Sequence, residues 1–205
     1  MEDTFDDIIA RYRRAAGAYT DRLRRVQRWD LPTPCAEWDV RALTNHMTRG
    51  NRNYVALLNG ASAADFLADR DTDALGDHPL DAYVESVWAC ARAFSRPGAL
   101  STVLDYPLGR ITGAQALAVR TTDSLVHTWD LTRALGRDDD LDADLAAWAD
   151  RNLTAIYAGL AESPAATDST HRFFAARTPG ATTGPQDRLL RTMGRDPGRP
   201  VRAER

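Results

Sequence analysis

The chain has 205 residues, of which 43% are hydrophobic and 27% are charged, with a formal net charge of -3. This composition is typical of a globular protein. The sequence lacks both the roughly 18-residue apolar run of a membrane helix and a basic stripe that could bind nucleic acid. All 26 basic residues are arginine, which indicates a high-GC bacterial source and excludes Schiff-base and P-loop lysine chemistry. We therefore expect a cytoplasmic protein that binds neither membranes nor nucleic acid.

Apolar residues recur at helical spacing in five long segments and one short one. The predicted helices span about 4–26, 39–58, 79–96, 112–135, 142–161 and 186–193. Asp39 and Thr112 suit helix N-caps, and Pro79 suits a first helical turn. Proline or glycine follows most of these segments and ends them.

The connecting segments contain few strand signals. Residues 61–78 are predicted to be a loop with one helical turn near 65–68, and the stretch around 107–109 suits a short extended piece or a hairpin. This pattern predicts an all-α, four-helix bundle in a single domain spanning 1–205. Its core is expected to cover about 4–161. Residues 162–205, rich in proline, glycine and threonine, are expected to form an irregular C-terminal extension that carries the short extra helix.

Three residues in predicted helices could form a metal site. His127 follows Asp123 by four residues, so both side chains leave one helix face, only ~40° apart. That face is otherwise apolar, and a carboxylate and an imidazole directed into a core need compensation. His46 flanks the apolar stripe of the second helix. Two histidines and one carboxylate suit a divalent metal such as zinc and leave at least one coordination position open.

The spacing alone leaves other interpretations open. An Asp and a His four residues apart can be a helix-surface pair, and a single His at a helix edge is often a hydrogen-bonded structural residue. Arg120, one turn before Asp123, could neutralise that carboxylate, tune it as a metal ligand, or bind an anionic group of a substrate. Asp130, three residues after His127, could hold the second ring nitrogen of His127 or be solvated.

Cys35 could be a nucleophile, but no histidine lies near it in sequence. A reactive thiol needs an electropositive setting, so we interpret Cys35 as a structural residue. Trp38 and Trp129 are interpreted as packing residues, with Trp129 on the side of its helix away from Asp123. The residue types identify no catalytic acid, base or nucleophile.

Two motifs, TPCAEWDVRALTNHMTRGNRNYVALLNG and RTTDSLVHTWDLTRALG, resemble the mycothiol-dependent maleylpyruvate isomerase family, part of the DinB-like metalloprotein superfamily. The ending QDRLLRTMGRDP is similar to an actinobacterial branch of that family. The resemblance covers about 29–197 and implies a four-helix bundle with a zinc-type site. Its ligands would be His46, Asp123 and His127. The isomerase has Glu where this chain has Asp123, and it carries a separate C-terminal domain that this chain is expected to lack.

The resemblance also implies a cofactor and a reaction class. Mycothiol is a small thiol of certain high-GC bacteria, and a metal can bind its sulfur and favour the thiolate. The expected function is a metal-dependent transferase or isomerase that uses mycothiol against an electrophilic substrate. The metal would be Zn2+, with Ni2+ or Fe2+ as alternatives. The competing interpretation is a non-catalytic metal-binding bundle that serves as a stress, sensor or interaction module. The oligomeric state is not readable from the sequence, with a homodimer as one option.

Overall fold

The computed structural model describes residues 4–36, 38–137, 140–164, 166 and 175–198, and these are mainly helical. Within these ranges the elements follow one another along the chain as α1 (Ile8–Leu23), α2 (Val40–Leu58), α3 (Ala63–Ala68), α4 (Pro79–Phe94), β1 (Val103–Tyr106), β2 (Gly109–Thr112), α5 (Gly113–Ala134), α6 (Ala143–Ile156) and α7 (Pro185–Thr192). The N-caps of α2 and α5 are Asp39 and Thr112, as predicted, and each side chain accepts a hydrogen bond from a backbone N–H of the first turn.

Four of the helices form the bundle predicted from the sequence. Helix α1 packs against α4 and α5, and α2 packs against the same two helices. Helix α6 lies beside this bundle, in contact with α5 and α7. The predicted first and fifth helices are longer than α1 and α6, since helix ends fray into turns that periodicity does not detect.

Strands β1 and β2 form the hairpin that was one of two predicted alternatives. They are antiparallel, with Leu104 opposite Ile111 and Tyr106 opposite Gly109. Leu104 and Ile111 are buried against the core, which places the hairpin on the bundle and directs the chain into α5.

Helix α5 is buried on nearly all sides, although its sequence is rich in threonine and serine. Several of its hydroxyl groups donate to the backbone oxygen four residues earlier, as Thr121, Ser124, Thr128 and Thr132 do at 2.7–2.9 Å. These local bonds satisfy the hydroxyls without a partner from another helix. Polar residues can therefore line a fully enclosed helix. Trp129, predicted on the far side from Asp123, is buried as well.

The short helix α7 belongs to the core. Leu189, Leu190 and Met193 are buried in the same cluster as the apolar residues of α5 and α6. The sequence pattern placed this helix in an irregular extension outside the core, because eight residues carry too little periodicity to show what they pack against. We propose one helical domain whose core includes α7. His171, which the sequence places in a polar loop, lies outside the described residues. Among the helices that are described, none is long and apolar enough to cross a membrane.

Candidate metal centre

The packing of α2 on α5 brings the three predicted metal ligands together. On α5, Asp123 Oδ1 lies 3.2 Å from His127 Nε2, as expected for residues one turn apart. From α2, His46 Nε2 lies 3.4 Å from Asp123 Oδ2. One potential ligand atom from each residue lies within 4.8 Å of the other two. Two imidazole nitrogens and a carboxylate oxygen therefore lie close enough to hold one divalent ion, and such a donor set is common in catalytic metal sites.

One atom of this set lacks a partner. Among the residues that the structure describes, the buried Nε2 of His46 has no hydrogen bond, although it lies 3.4 Å from Asp123 Oδ2. An unpaired buried nitrogen costs free energy, and a metal ion would remove that cost by accepting its lone pair. The side chains of His46 and Asp123 are both 28% exposed. The His46 donor atom is thus enclosed while other parts of both side chains reach solvent, and the donor atoms fit a divalent cation.

The two histidines of the site differ in the direction in which their pKa values are shifted. Burial lowers the pKa of His46 to about 4, against the opposing effect of Asp123, so this imidazole is neutral at physiological pH. Burial also lowers the pKa of His127, but the charge of Asp123 outweighs burial and raises that pKa well above its usual value. Burial raises the pKa of Asp123, yet His127 and Arg120 outweigh it and hold the pKa well below the usual range. The carboxylate is therefore ionised, as a metal ligand must be.

The side chain of Arg120 is buried and hydrogen-bonds to neighbouring residues. It is 2% exposed, and its guanidinium donates to Asn51 Oδ1 at 2.8 Å, to the backbone oxygen of Met47 at 2.8 Å and to Asp123 Oδ2. It runs so close to α2 that a Cβ at Gly50 would lie 2.8 Å from Arg120 Nη1. This arrangement favours the interpretation in which Arg120 neutralises and orients Asp123, rather than the one in which it binds a substrate anion.

Asp130 lies on the other side of the His127 ring. Its Oδ2 is 2.9 Å from His127 Nδ1, the contact that the spacing suggested. A carboxylate at one ring nitrogen fixes the tautomer and the ring orientation, so the other nitrogen, Nε2, is presented to the metal position.

Two neighbours of this contact were not predicted from the sequence. Cys35 Sγ lies 3.2 Å from Asp130 Oδ2 and 3.9 Å from His127 Nδ1, although 92 residues separate Cys35 from His127. Arg195 Nη2 lies 2.7 Å from Asp130 Oδ2 and 3.0 Å from the Cys35 sulfur. No histidine lies near Cys35 in the sequence, but the fold brings its sulfur to His127. No spacing rule links such distant residues.

Trp38 covers the site on the side of α2. Its ring centroid lies 4.8 Å from that of His46 and 6.1 Å from that of His127. The predicted packing role therefore applies to the site itself, where the indole packs beside the two imidazoles.

Residues 5–132 match the family model of the mycothiol maleylpyruvate isomerase N-terminal domain. The chain belongs to this family. The matched range contains His46, Asp123, His127 and Asp130. Arg195 lies beyond it.

Other proteins are similar to this chain in sequence or in fold. Uncharacterized proteins of two Mycobacterium tuberculosis strains, CDC 1551 / Oshkosh and ATCC 25618 / H37Rv, are each 33% identical over 142 residues, which is 68% of this chain and 74% of theirs. The crystal structure of the mycothiol-dependent maleylpyruvate isomerase matches with a TM-score of 0.58 at 14% identity, over 75% of this chain and 72% of the isomerase. A mutant of that isomerase, with a histidine replaced by alanine, matches with the same TM-score at 13% identity. These two structures show a shared fold.

Proposed function

We propose that this protein is a divalent-metal-dependent enzyme that uses mycothiol in a transfer or isomerisation reaction on an electrophilic small molecule. The observation that carries the proposal is the convergence of His46, Asp123 and His127, with the buried Nε2 of His46 lacking a hydrogen bond among the described residues. Membership of a family named for mycothiol supports the choice of thiol.

In this proposal the three converging residues hold the metal, with Zn2+ expected and Ni2+ or Fe2+ as alternatives. When bound, the metal would lower the pKa of a thiol at the open coordination position and so supply a thiolate nucleophile at neutral pH. Asp123 offsets part of the metal's charge, and Arg120 holds its carboxylate in place. Asp130 fixes the His127 ring. The thiol and its substrate would enter over the exposed parts of His46 and Asp123.

Metal content tests the first half of the proposal. Protein purified without a polyhistidine tag should contain about one zinc ion per chain by elemental analysis, and the variants His46→Ala and His127→Ala should lose it, because two ligands rarely hold zinc. A matched control is His78→Ala, which removes an imidazole at the N-terminus of α4 and should leave the metal content unchanged. Metal-free wild-type protein, or full metal content in both ligand variants, would overturn the site.

Thiol binding tests the second half. Mycothiol should raise the thermal unfolding temperature of the zinc-loaded protein, because a ligand that binds only the folded state stabilises it by mass action. The His127→Ala variant should show no such rise. Zinc binding with no response to mycothiol would instead identify the non-catalytic metal-binding module.

A further inference from the structure

The carboxylate of Asp130 is fully buried and has polar contacts on both oxygens. Its Oδ2 accepts from His127 Nδ1 at 2.9 Å, from Arg195 Nη2 at 2.7 Å and from the Cys35 thiol at 3.2 Å. Its Oδ1 accepts from Arg195 Nε at 3.2 Å. Arg195 therefore donates hydrogen bonds to both oxygens, a bidentate contact that fixes the plane of a carboxylate as well as its position.

The C-terminal end of α7 places Arg195 there. Gly194 follows the helix in the left-handed region, at φ 77°. Its N–H donates to the oxygen of Arg191 at 3.1 Å, and the N–H of Arg195 donates to the oxygen of Leu190 at 2.8 Å. These two bonds form a Schellman motif, which sets the direction of the chain as it leaves the helix. A Cβ at position 194 would lie 2.4 Å from that of Ala175, so glycine is required there.

The side chain of Arg195 is also held. Its Nη1 donates to the backbone oxygen of Met193 at 2.7 Å. Met193 and Leu190 are buried in the core. The guanidinium is therefore attached to a helix end that cannot shift without breaking apolar packing. A rigid element supports the polar contact, which is the condition for a side chain to orient another group.

Asp130 needs such a partner. A buried carboxylate with no opposite charge is costly, and Arg195 is the one permanent cation among the described contacts of Asp130, since His127 is neutral when it binds a metal. Without Arg195 the carboxylate would be free to rotate, and the His127 ring that depends on it would lose its fixed orientation toward the metal position.

We propose that Arg195 is a positioning residue of the metal centre, acting through Asp130 on His127, so that the C-terminal segment after α7 sets the affinity for the metal. This inference rests on the metal site of the proposed function. It assigns to a residue outside the matched family domain a role in the binding chemistry of residues inside that domain.

The experiment measures zinc affinity by competition with a chromophoric chelator, on the full chain. Arg195→Gln and Asp130→Asn should each weaken zinc binding by about tenfold, the lower end of the loss seen when such supporting contacts are removed. The double variant should be no weaker than Asp130→Asn alone, because both substitutions break one chain of contacts. Arg195→Lys keeps the charge but not the bidentate grip, and should fall between wild type and Arg195→Gln.

The matched control is Arg188→Gln. Arg188 also belongs to the α7 region and donates to Asp150 at 2.7 Å, but it is half-exposed and its described contacts do not include the metal centre. It should bind zinc within twofold of wild type. Thermal unfolding in excess chelator identifies any variant that has lost its fold. If Arg195→Gln is such a variant, the zinc affinity of Arg195→Lys is compared with that of wild type instead.

The proposed metal site and the proposed role of Arg195 can be overturned separately. Wild-type protein that binds no zinc overturns the proposed function. Wild-type protein that binds zinc, with Arg195→Gln within twofold of it, overturns the role of Arg195 and leaves the site intact. Equal losses in Arg195→Gln and Arg188→Gln, or additive losses in the double variant, overturn it as well.

Discussion

The two sides of the His127 ring are built in opposite ways. On the Nε2 side, Asp123 and His46 are partly exposed, and the described residues leave His46 Nε2 without a hydrogen bond. On the Nδ1 side, Asp130 is completely buried and both of its oxygens accept hydrogen bonds. The proposed metal centre would thus combine a partly exposed side, where ligands bind, with a closed side that holds the His127 ring. Stability should depend mainly on the closed side, and metal affinity on both.

The largest expected effect comes from breaking the closed side. Asp130→Asn should lower the free energy of unfolding by about 3 kcal/mol, because it leaves the largely buried Arg195 without its counter-charge. Urea denaturation in the presence of a chelator measures this. The control Asp150→Asn removes the partner of the half-exposed Arg188 and should cost less than about 1 kcal/mol. Equal losses in the two variants would contradict the comparison.

The next effect comes from the contact between α2 and α5. Gly50→Ala should lower the free energy of unfolding by about 2 kcal/mol, since the new methyl group meets the buried guanidinium of Arg120 and overpacks the interface. Gly17→Ala is the matched control, a helical glycine in α1 with no described atom within 4 Å of the added Cβ. It should be neutral or stabilising by up to about 1 kcal/mol. The same urea titration measures both variants. A Gly50→Ala variant with an unchanged free energy of unfolding would show that Arg120 can move freely.

A smaller effect on stability is expected on the open side. His46→Ala should change the free energy of unfolding of the chelator-treated protein by less than about 1 kcal/mol, because Nε2 contributes no hydrogen bond among the described contacts. The same variant should lose the rise in unfolding temperature that zinc gives to wild type. A large loss without metal would mean that His46 is a structural residue, one of the interpretations that the sequence left open.

The smallest effect is expected at the threonines of α5. Thr128→Val keeps the shape of the side chain and removes a hydroxyl whose one hydrogen bond among the described residues is to its own helix, at Ser124 O. We expect a change within about 0.5 kcal/mol, since the carbonyl keeps its helical N–H partner and i−4 bonds of this kind add little to a helix. A loss above 2 kcal/mol by urea denaturation would show that Thr128 is held by more than its own turn.

The sequence predicts the bundle and the converging residues for a clear physical reason. Helical periodicity and capping residues are local, so the bundle helices are predicted, with their ends within a few residues. Asp123 and His127 share a face by geometry alone. His46 could not be placed in this way, since no local pattern shows that α2 packs beside α5 at that level. The resemblance to the family motif is what identified His46 as a ligand.

The closed side was only half predictable. Asp130 is one turn from His127, and that spacing suggested their contact. Cys35 and Arg195 reach Asp130 from 95 and 65 residues away, and such contacts depend on tertiary packing that no single-sequence pattern encodes. Helix α5 was also hard to interpret, because an amphipathic pattern assumes that polar side chains face water, while its hydroxyls are satisfied by their own backbone.

The Schellman turn at Gly194 has a consequence for how the chain responds to its ligand. Thermodynamic coupling is reciprocal: if the docking of Arg195 strengthens metal binding by some factor, the metal must strengthen that docking by the same factor. Loading the site should then protect the residues around Arg195 from hydrogen exchange more than it protects α3.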